Sequence, residues 1–136
     1  MTEKIIINAD SAVLGRVASY AAKQALLGKE VIVVNAEKSI IIGQRPRIIE
    51  RYRIRKRRGG SNLKGPYISA NAEKLLKRTI RGMLPYHQGR GREALKRVRC
   101  YNDIPKEIEN EKMVKSKGGK KGMSLGELAR TLKGEK

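Results

Sequence analysis

Lys4-Ile5-Ile6-Ile7-Asn8 and Val31-Ile32-Val33-Val34 bracket a stretch in which Leu14, Val17, Ala18, Ala21 and Ala25 recur at helical spacing. The two short apolar runs read as buried strands, and the stretch between them as an amphipathic helix with Arg16, Lys23 and Gln24 turned away. Asp10 or Ser11 stands where a helix N-cap is expected, and Gly28 where a helix ends. Strand, helix and strand in this order make a βαβ unit, for which a right-handed crossover is expected. The second strand is apolar on both faces, as in a parallel sheet covered by helices. Ser39 to Ile42 adds a further extended piece, closed by Gly43. The predicted fold class is α/β.

Downstream, Arg45 to Arg58 holds eight basic residues and one acid, Glu50. As a helix, this stretch places Arg47, Arg51, Arg55 and Arg58 on one stripe, with Ile48, Ile49 and Tyr52 inward. As a strand, it alternates Arg51, Arg53, Arg55 and Arg57 with Tyr52 and Ile54. The helix is favoured to about residue 54. An irregular basic loop is expected beyond it, through Gly59-Gly60-Ser61-Asn62, that orders on a partner and is poorly protected without one.

Asn71 can cap a second clear helix, from Ala72 to about Gly82. Leu75, Leu76, Thr79 and Ile80 make its inner face, and Lys74, Lys77, Arg78 and Arg81 its outer face. Met83 is spaced to help anchor it, Gly82 to let the chain leave it closely past another backbone, and Pro85 ends the region. Gly89-Arg90-Gly91-Arg92 leads into a short helix with Ala94 and Leu95 inward and Arg92 and Lys96 outward. Val98 to Tyr101 reads as a strand. Residues 1–104 are expected to form one α/β core, with the basic loop near 45–66. Residues 105–136 read as a C-terminal extension. It holds the loop Lys117 to Gly122 and a last helix from Ser124, where Glu127 completes a capping box. Leu125, Leu128, Ala129 and Leu132 form that helix's apolar stripe.

The whole chain has 136 residues, 32 Lys and Arg against 13 Asp and Glu, a net charge of +19 and a pI near 10.5. That length fits a single domain. The charge is uneven: residues 1–50 hold 7 basic and 5 acidic residues, and residues 51–136 hold 25 and 8. Such an excess opposes compaction unless a polyanion neutralises it, and nucleic acid is the expected one. The apolar runs are far too short to span a membrane, and no stretch near the start reads as a signal peptide. The expected setting is cytoplasmic. A single cysteine, Cys100, and a single histidine, His87, exclude a disulfide framework and multi-cysteine or paired-histidine metal sites.

Enzyme signatures are missing. No Gly-x4-Gly-Lys-Ser/Thr occurs, and Gly89-Arg90-Gly91 lacks a third glycine and a βαβ setting. The turn from Asp10 to Gly15 could hold an anion at a helix start, but it reads as an ordinary strand-to-helix turn in which Gly15 allows close packing. His87 has no nearby orienting carboxylate, and Cys100 reads as a small core residue. DNA-compacting proteins would show repeats or intercalating wedges. Three segments instead pair an apolar side with a basic one: Arg45–Arg58, Lys74–Arg81 and Arg90–Arg99. Arginine's planar fork suits phosphates. With only five tyrosines and no Phe or Trp, backbone and shape contact with structured RNA is expected rather than an aromatic platform. The RNA-contacting candidates are Arg45, Arg47, Arg51, Arg53, Arg55, Lys56, Arg57, Arg58, Lys74, Lys77, Arg78, Arg81, His87, Arg90, Arg92 and Lys96. No catalytic residue, metal site or cofactor is expected.

Several motifs in order resemble one family. Asn8-Ala9-Asp10, Leu14-Gly15-Arg16-Val17-Ala18-Ser19, Gly28 through Glu37, Ile42-Gly43 and above all Arg81-Gly82-Met83-Leu84-Pro85 are similar to the L13 family of large-subunit ribosomal proteins. The resemblance runs from about residue 4 to 104. Ile104-Pro105-Lys106 and the last helix resemble its archaeal and eukaryotic branch, and within it the archaeal form. It implies a three-layer α/β/α arrangement around a small, mostly parallel four-stranded sheet. It also implies a structural role in the large ribosomal subunit, binding to large-subunit rRNA beside neighbouring ribosomal proteins, and a part in early subunit assembly. The Arg51–Arg58 run departs from the less arginine-rich bacterial form, so its contacts do not carry over.

Overall fold

A computed structural model describes residues 3–57, 71–108, 113–115 and 122–133, with side chains described for all of these except 55–57 and 115. The expected irregular loop at 59–62, Arg58, and the Lys117–Lys121 part of the later loop lie outside the described residues.

The first strand, β1 (Lys4–Asn8), leads to helix α1 (Leu14–Leu26) and strand β2 (Glu30–Val34). β1 and β2 pair in parallel, with Ile5 beside Val31 and Ile7 beside Val33. Gly28 terminates α1 at φ +95, a conformation glycine adopts without strain. The Lys29 N–H then donates to the Gln24 carbonyl at 3.2 Å, closing the helix end. The start of α1 differs from expectation. Its N-cap position is Val13, with no side-chain cap. Val13 is drawn into a bridge with Ile40, which leaves Asp10 and Ser11 too far upstream to cap. Gln24, read as outward, is only 9% exposed. It lies seven residues after Val17, so position on the apolar stripe prevails over its polarity.

After a short 3-10 turn (Ala36–Lys38), strand β3 (Ile40–Ile42) precedes helix α2 (Arg45–Arg57). Arg45–Arg57 is therefore helical, not extended, and the helix runs three residues past its expected end. Ile48 and Tyr52, one turn apart, bury its inner edge. Helix α3 (Ala72–Gly82) has the predicted bounds. Asn71 occupies its N-cap position without a side-chain cap; the Glu73 N–H donates instead to Asn102 Oδ1 at 3.0 Å. Leu75, Leu76 and Ile80 are buried, but Met83 is 44% exposed and Leu84 takes the anchoring place. Gly82 is helical, and a Cβ there would meet no protein atom within 4 Å, so close passage of the protein's own backbone does not explain it.

Helix α4 (Gly89–Lys96) includes the glycine pair that was expected to lead into it, and strand β4 (Val98–Cys100) follows. Strands β5 (Val114–Lys115) and β6 (Gly122–Ser124) and helix α5 (Leu125–Lys133) complete the chain. β4 pairs in parallel with β2, and the two-residue β5 in parallel with β1, in the order β4-β2-β1-β5. β3 pairs separately, antiparallel to β6.

Alternation along the strands divides the core. Ile7, Val31, Val33 and Val98 face the cluster built by α1, α2, α3, α4 and α5. Ile6 and Val34 face the other way, under Ile108, with Ile32 and Met113 packed at the edge. Leu125, Leu128 and Leu132 of α5 are fully buried in the main cluster. Ser124 Oγ accepts the Glu127 N–H at 3.2 Å, one half of the expected capping box.

Candidate nucleic-acid interface

Helical periodicity puts Arg78 and Arg81 three residues apart on the side of α3 away from Leu76 and Ile80. α2 buries Ile48 and Tyr52 and packs against α5 and β6, which brings Arg51 and Tyr52 to the same depression as Arg78 and Arg81. The result is a groove of about 370 Å³ lined by Arg51, Tyr52, Leu75, Arg78, Thr79, Arg81, Gly82 and Tyr86. Three guanidinium groups from two helices thus share one depression. Among the described residues none of the three is paired with a carboxylate. A positive cluster held that way has uncompensated donors for phosphate oxygens.

The other basic candidates are disposed differently. Lys74 and Lys77 line a second depression of about 330 Å³ with Glu73, Arg99, Cys100 and Tyr101. Lys96 lies by a third, small one with Arg97 and Arg99, and pairs with Glu93 at 3.5 Å. Arg45 pairs with Glu127, and Arg53 with Glu50 at 3.4 Å. The Arg90 Nε–H donates to Gln88 Oε1 at 3.2 Å. Arg47 and Arg92 are exposed, and His87 is exposed with its ring 4.2 Å from that of Tyr86. Arg55, Lys56 and Arg57 lie on the last turn of α2, and Arg58 falls outside the described residues.

Two groups absent from the candidate set stand among these residues. Arg99 lines both smaller depressions; as the middle residue of Val98-Arg99-Cys100, period-two alternation puts it opposite its buried neighbour Val98. Tyr86 borders the main groove, with the Arg81 guanidinium 5.2 Å from its ring centroid. Arg97 is structural: its Nη1 donates to the Ala25 carbonyl at 3.0 Å, at the negative end of α1.

The close turn at Arg81–Pro85 is held from the far side. A Cβ on Gly91 would lie 1.9 Å from the Pro85 carbonyl oxygen, so only glycine lets α4 press on that turn. Gly15, by contrast, is exposed with no atom within 4 Å of a Cβ, and does not serve the close packing expected of it. Cys100 is half-buried and holds its proton. Burial pushes its thiol up to about 12, against an opposing pull from Lys77 and with a smaller push from Glu73. Among the described residues no group of three or more His, Cys, Asp or Glu side chains could hold a metal ion, and no helix is long and apolar enough to cross a membrane.

This basic groove sits on a chain whose sequence matches the family model described as Ribosomal protein L13 over residues 2–107. The chain belongs to the ribosomal protein L13 family. Among its L13 relatives, the large ribosomal subunit protein uL13 of Archaeoglobus fulgidus is 42% identical over 110 residues, covering 81% of this chain and 70% of the relative. That of Thermoplasma volcanium is 44% identical over 110 residues, covering 81% and 80%. That of Methanococcoides burtonii is 36% identical over 134 residues, covering 93% and 96%. The region matched by the L13 family model contains α2, α3 and α4, and with them the whole groove. The alignment with the Methanococcoides burtonii L13 protein extends over most of the remaining chain.

Proposed function

We propose that this chain is a structural constituent of the large ribosomal subunit that binds large-subunit rRNA, lies beside other large-subunit proteins and supports early subunit assembly. Its place is the cytoplasm, in the ribosome, and its role is structural rather than catalytic. The observation that carries the reading is the groove in which Arg51, Arg78 and Arg81 converge with no carboxylate partner among the described residues, on a member of a family whose relatives are named as large-subunit proteins. Arg47, Lys74, Lys77, His87, Arg90 and Arg92 extend the contact around it. Arg55, Lys56 and Arg57 continue it along α2, Arg58 joins the contact from the sequence that follows, and Arg45, Arg53 and Lys96 join at its margins. The small α/β core is the platform, and the three-layer arrangement belongs to the same reading. No cofactor or small-molecule substrate has a part in it.

Phosphate neutralisation has a measurable signature. If six to ten phosphates are neutralised, affinity for large-subunit rRNA falls by about 10³- to 10⁵-fold between about 50 and 200 mM salt. A filter-binding series over that range tests the reading. A salt-insensitive affinity would contradict it.

A further inference from the structure

The groove between α2 and α3 holds more than phosphate-binding charge. Arg81 lies over the Tyr86 ring at 5.2 Å, and the His87 ring lies 4.2 Å from that of Tyr86 at a tilt of 35°. A guanidinium over an aromatic ring is attracted to it and can stack on a further planar group. Tyr52 and Leu75, both largely buried, close the bottom of the groove, and α2 and α3 add Arg51 and Arg78. The volume, about 370 Å³, lies at the lower end of the roughly 300–1,000 Å³ of small-ligand sites. That is room for one nucleotide.

We propose that this groove seats a single unpaired nucleotide extruded from folded RNA, its phosphate between Arg51 and Arg78 and its base stacked on the Arg81–Tyr86 pair. The inference rests on the rRNA-binding reading above and adds a recognition element to it. Bulged bases stack on aromatic rings and on arginine planes, and one such pair is enough for one base. The sparse tyrosines of this chain therefore do not exclude a single stacking seat within a surface that otherwise binds backbone and shape. The pairing pattern agrees: among the described residues Arg45, Arg53 and Lys96 are engaged by carboxylates, whereas the groove arginines are not.

The test uses the full chain and three RNAs: a plain duplex, the same duplex with one bulged adenosine, and the same duplex with an abasic bulge. Fluorescence anisotropy at fixed salt should show the bulged adenosine bound about fivefold or more tighter than the abasic bulge, because base stacking is sequence-tolerant and of that strength. Arg81→Lys keeps the charge and removes the plane, so it should equalise the affinities for the two bulges. Tyr86→Phe should keep the preference. Equal binding of both bulges by the wild type, or a preference that survives Arg81→Lys, would overturn the seat while leaving rRNA binding intact. Failure to bind any of the three RNAs would overturn both.

Discussion

The Arg45 guanidinium and the Glu127 carboxylate form an ion pair that ties the first residue of α2 to the first turn of α5. It joins the most arginine-rich helix to the end of the chain, and it uses one basic residue for docking that the sequence alone would assign to RNA. Both groups retain access to solvent, so Arg45→Ala should cost only about 0.2–1 kcal/mol. The loss should shrink at high salt, where the pair is screened. Arg45→Ala should also weaken rRNA binding less than Arg51→Ala does. Melting curves at two salt concentrations and parallel binding curves check both points.

The two faces of α3 should separate by mutation. Ile80 is fully buried, and Ile80→Ala should destabilise the fold by roughly 2–5 kcal/mol. Arg78→Ala combined with Arg81→Ala should leave the melting temperature nearly unchanged and weaken rRNA binding and incorporation into the large subunit. A double variant that melts far below wild type would show that these arginines are structural. One that melts and incorporates normally would move the RNA grip elsewhere, most directly to Arg47–Arg57.

Two glycines should respond with opposite signs. At Gly91 a Cβ would lie 1.9 Å from the Pro85 carbonyl oxygen and 2.8 Å from the Tyr86 nitrogen, both backbone atoms that cannot rotate away. Gly91→Ala should destabilise by about 1–3 kcal/mol or more. At Gly82 the backbone is helical and the space is open. Gly82→Ala should stabilise by a few tenths to about 1 kcal/mol, through its lower unfolded-state entropy. Thermal denaturation of the two variants decides it.

Much of this architecture is legible in the chain because its periods are local. Lys4–Asn8 and the Leu14–Leu26 stripe carry patterns that only one element satisfies, and α3 begins and ends where its apolar spacing does. Arg45 to Arg58 is ambiguous as sequence because Tyr52 and Ile54 fit an alternation as well as Ile48 and Tyr52 fit a helical turn. The burial of Ile48 and Tyr52 on one edge decides for the helix. What could not be read was long-range. The pairing of Ile40–Ile42 with Gly122–Ser124 leaves no local trace, and the bridge at Val13 that displaces the expected cap depends on Ile40. The groove is a similar case. Arg78 and Arg81 follow from helical spacing, but their meeting with Arg51 and Tyr86 is set by the long-range packing of α2 against α5 and β6 and by the turn that follows α3.

Cys100 gives a pH signature. Its thiol is pushed up to about 12, mainly by burial, against an ordinary value of 9.0. A raised thiol pKa means that the folded chain holds the proton after the unfolded chain has lost it. The contribution is complete below about 9 and is lost as pH rises toward 12, by about 1.4 kcal/mol per pH unit. The stability of wild type should therefore fall more steeply above pH 9 than that of Cys100→Ala. Denaturant melts of the two proteins across that range measure the difference; parallel curves would place the thiol in contact with water.

The most direct test of the central claim is sedimentation. The full chain, tagged in the cells that make it, is followed through a sucrose gradient of whole lysate at rising salt. A structural constituent held on rRNA by many phosphate contacts inside an assembled particle should migrate almost completely with the large subunit, through salt concentrations that strip loosely bound factors. The Arg51, Arg78 and Arg81 triple alanine variant should shift toward free protein or toward incomplete particles. A wild-type chain that remains at the top of the gradient, or leaves the large subunit at moderate salt, would contradict the account.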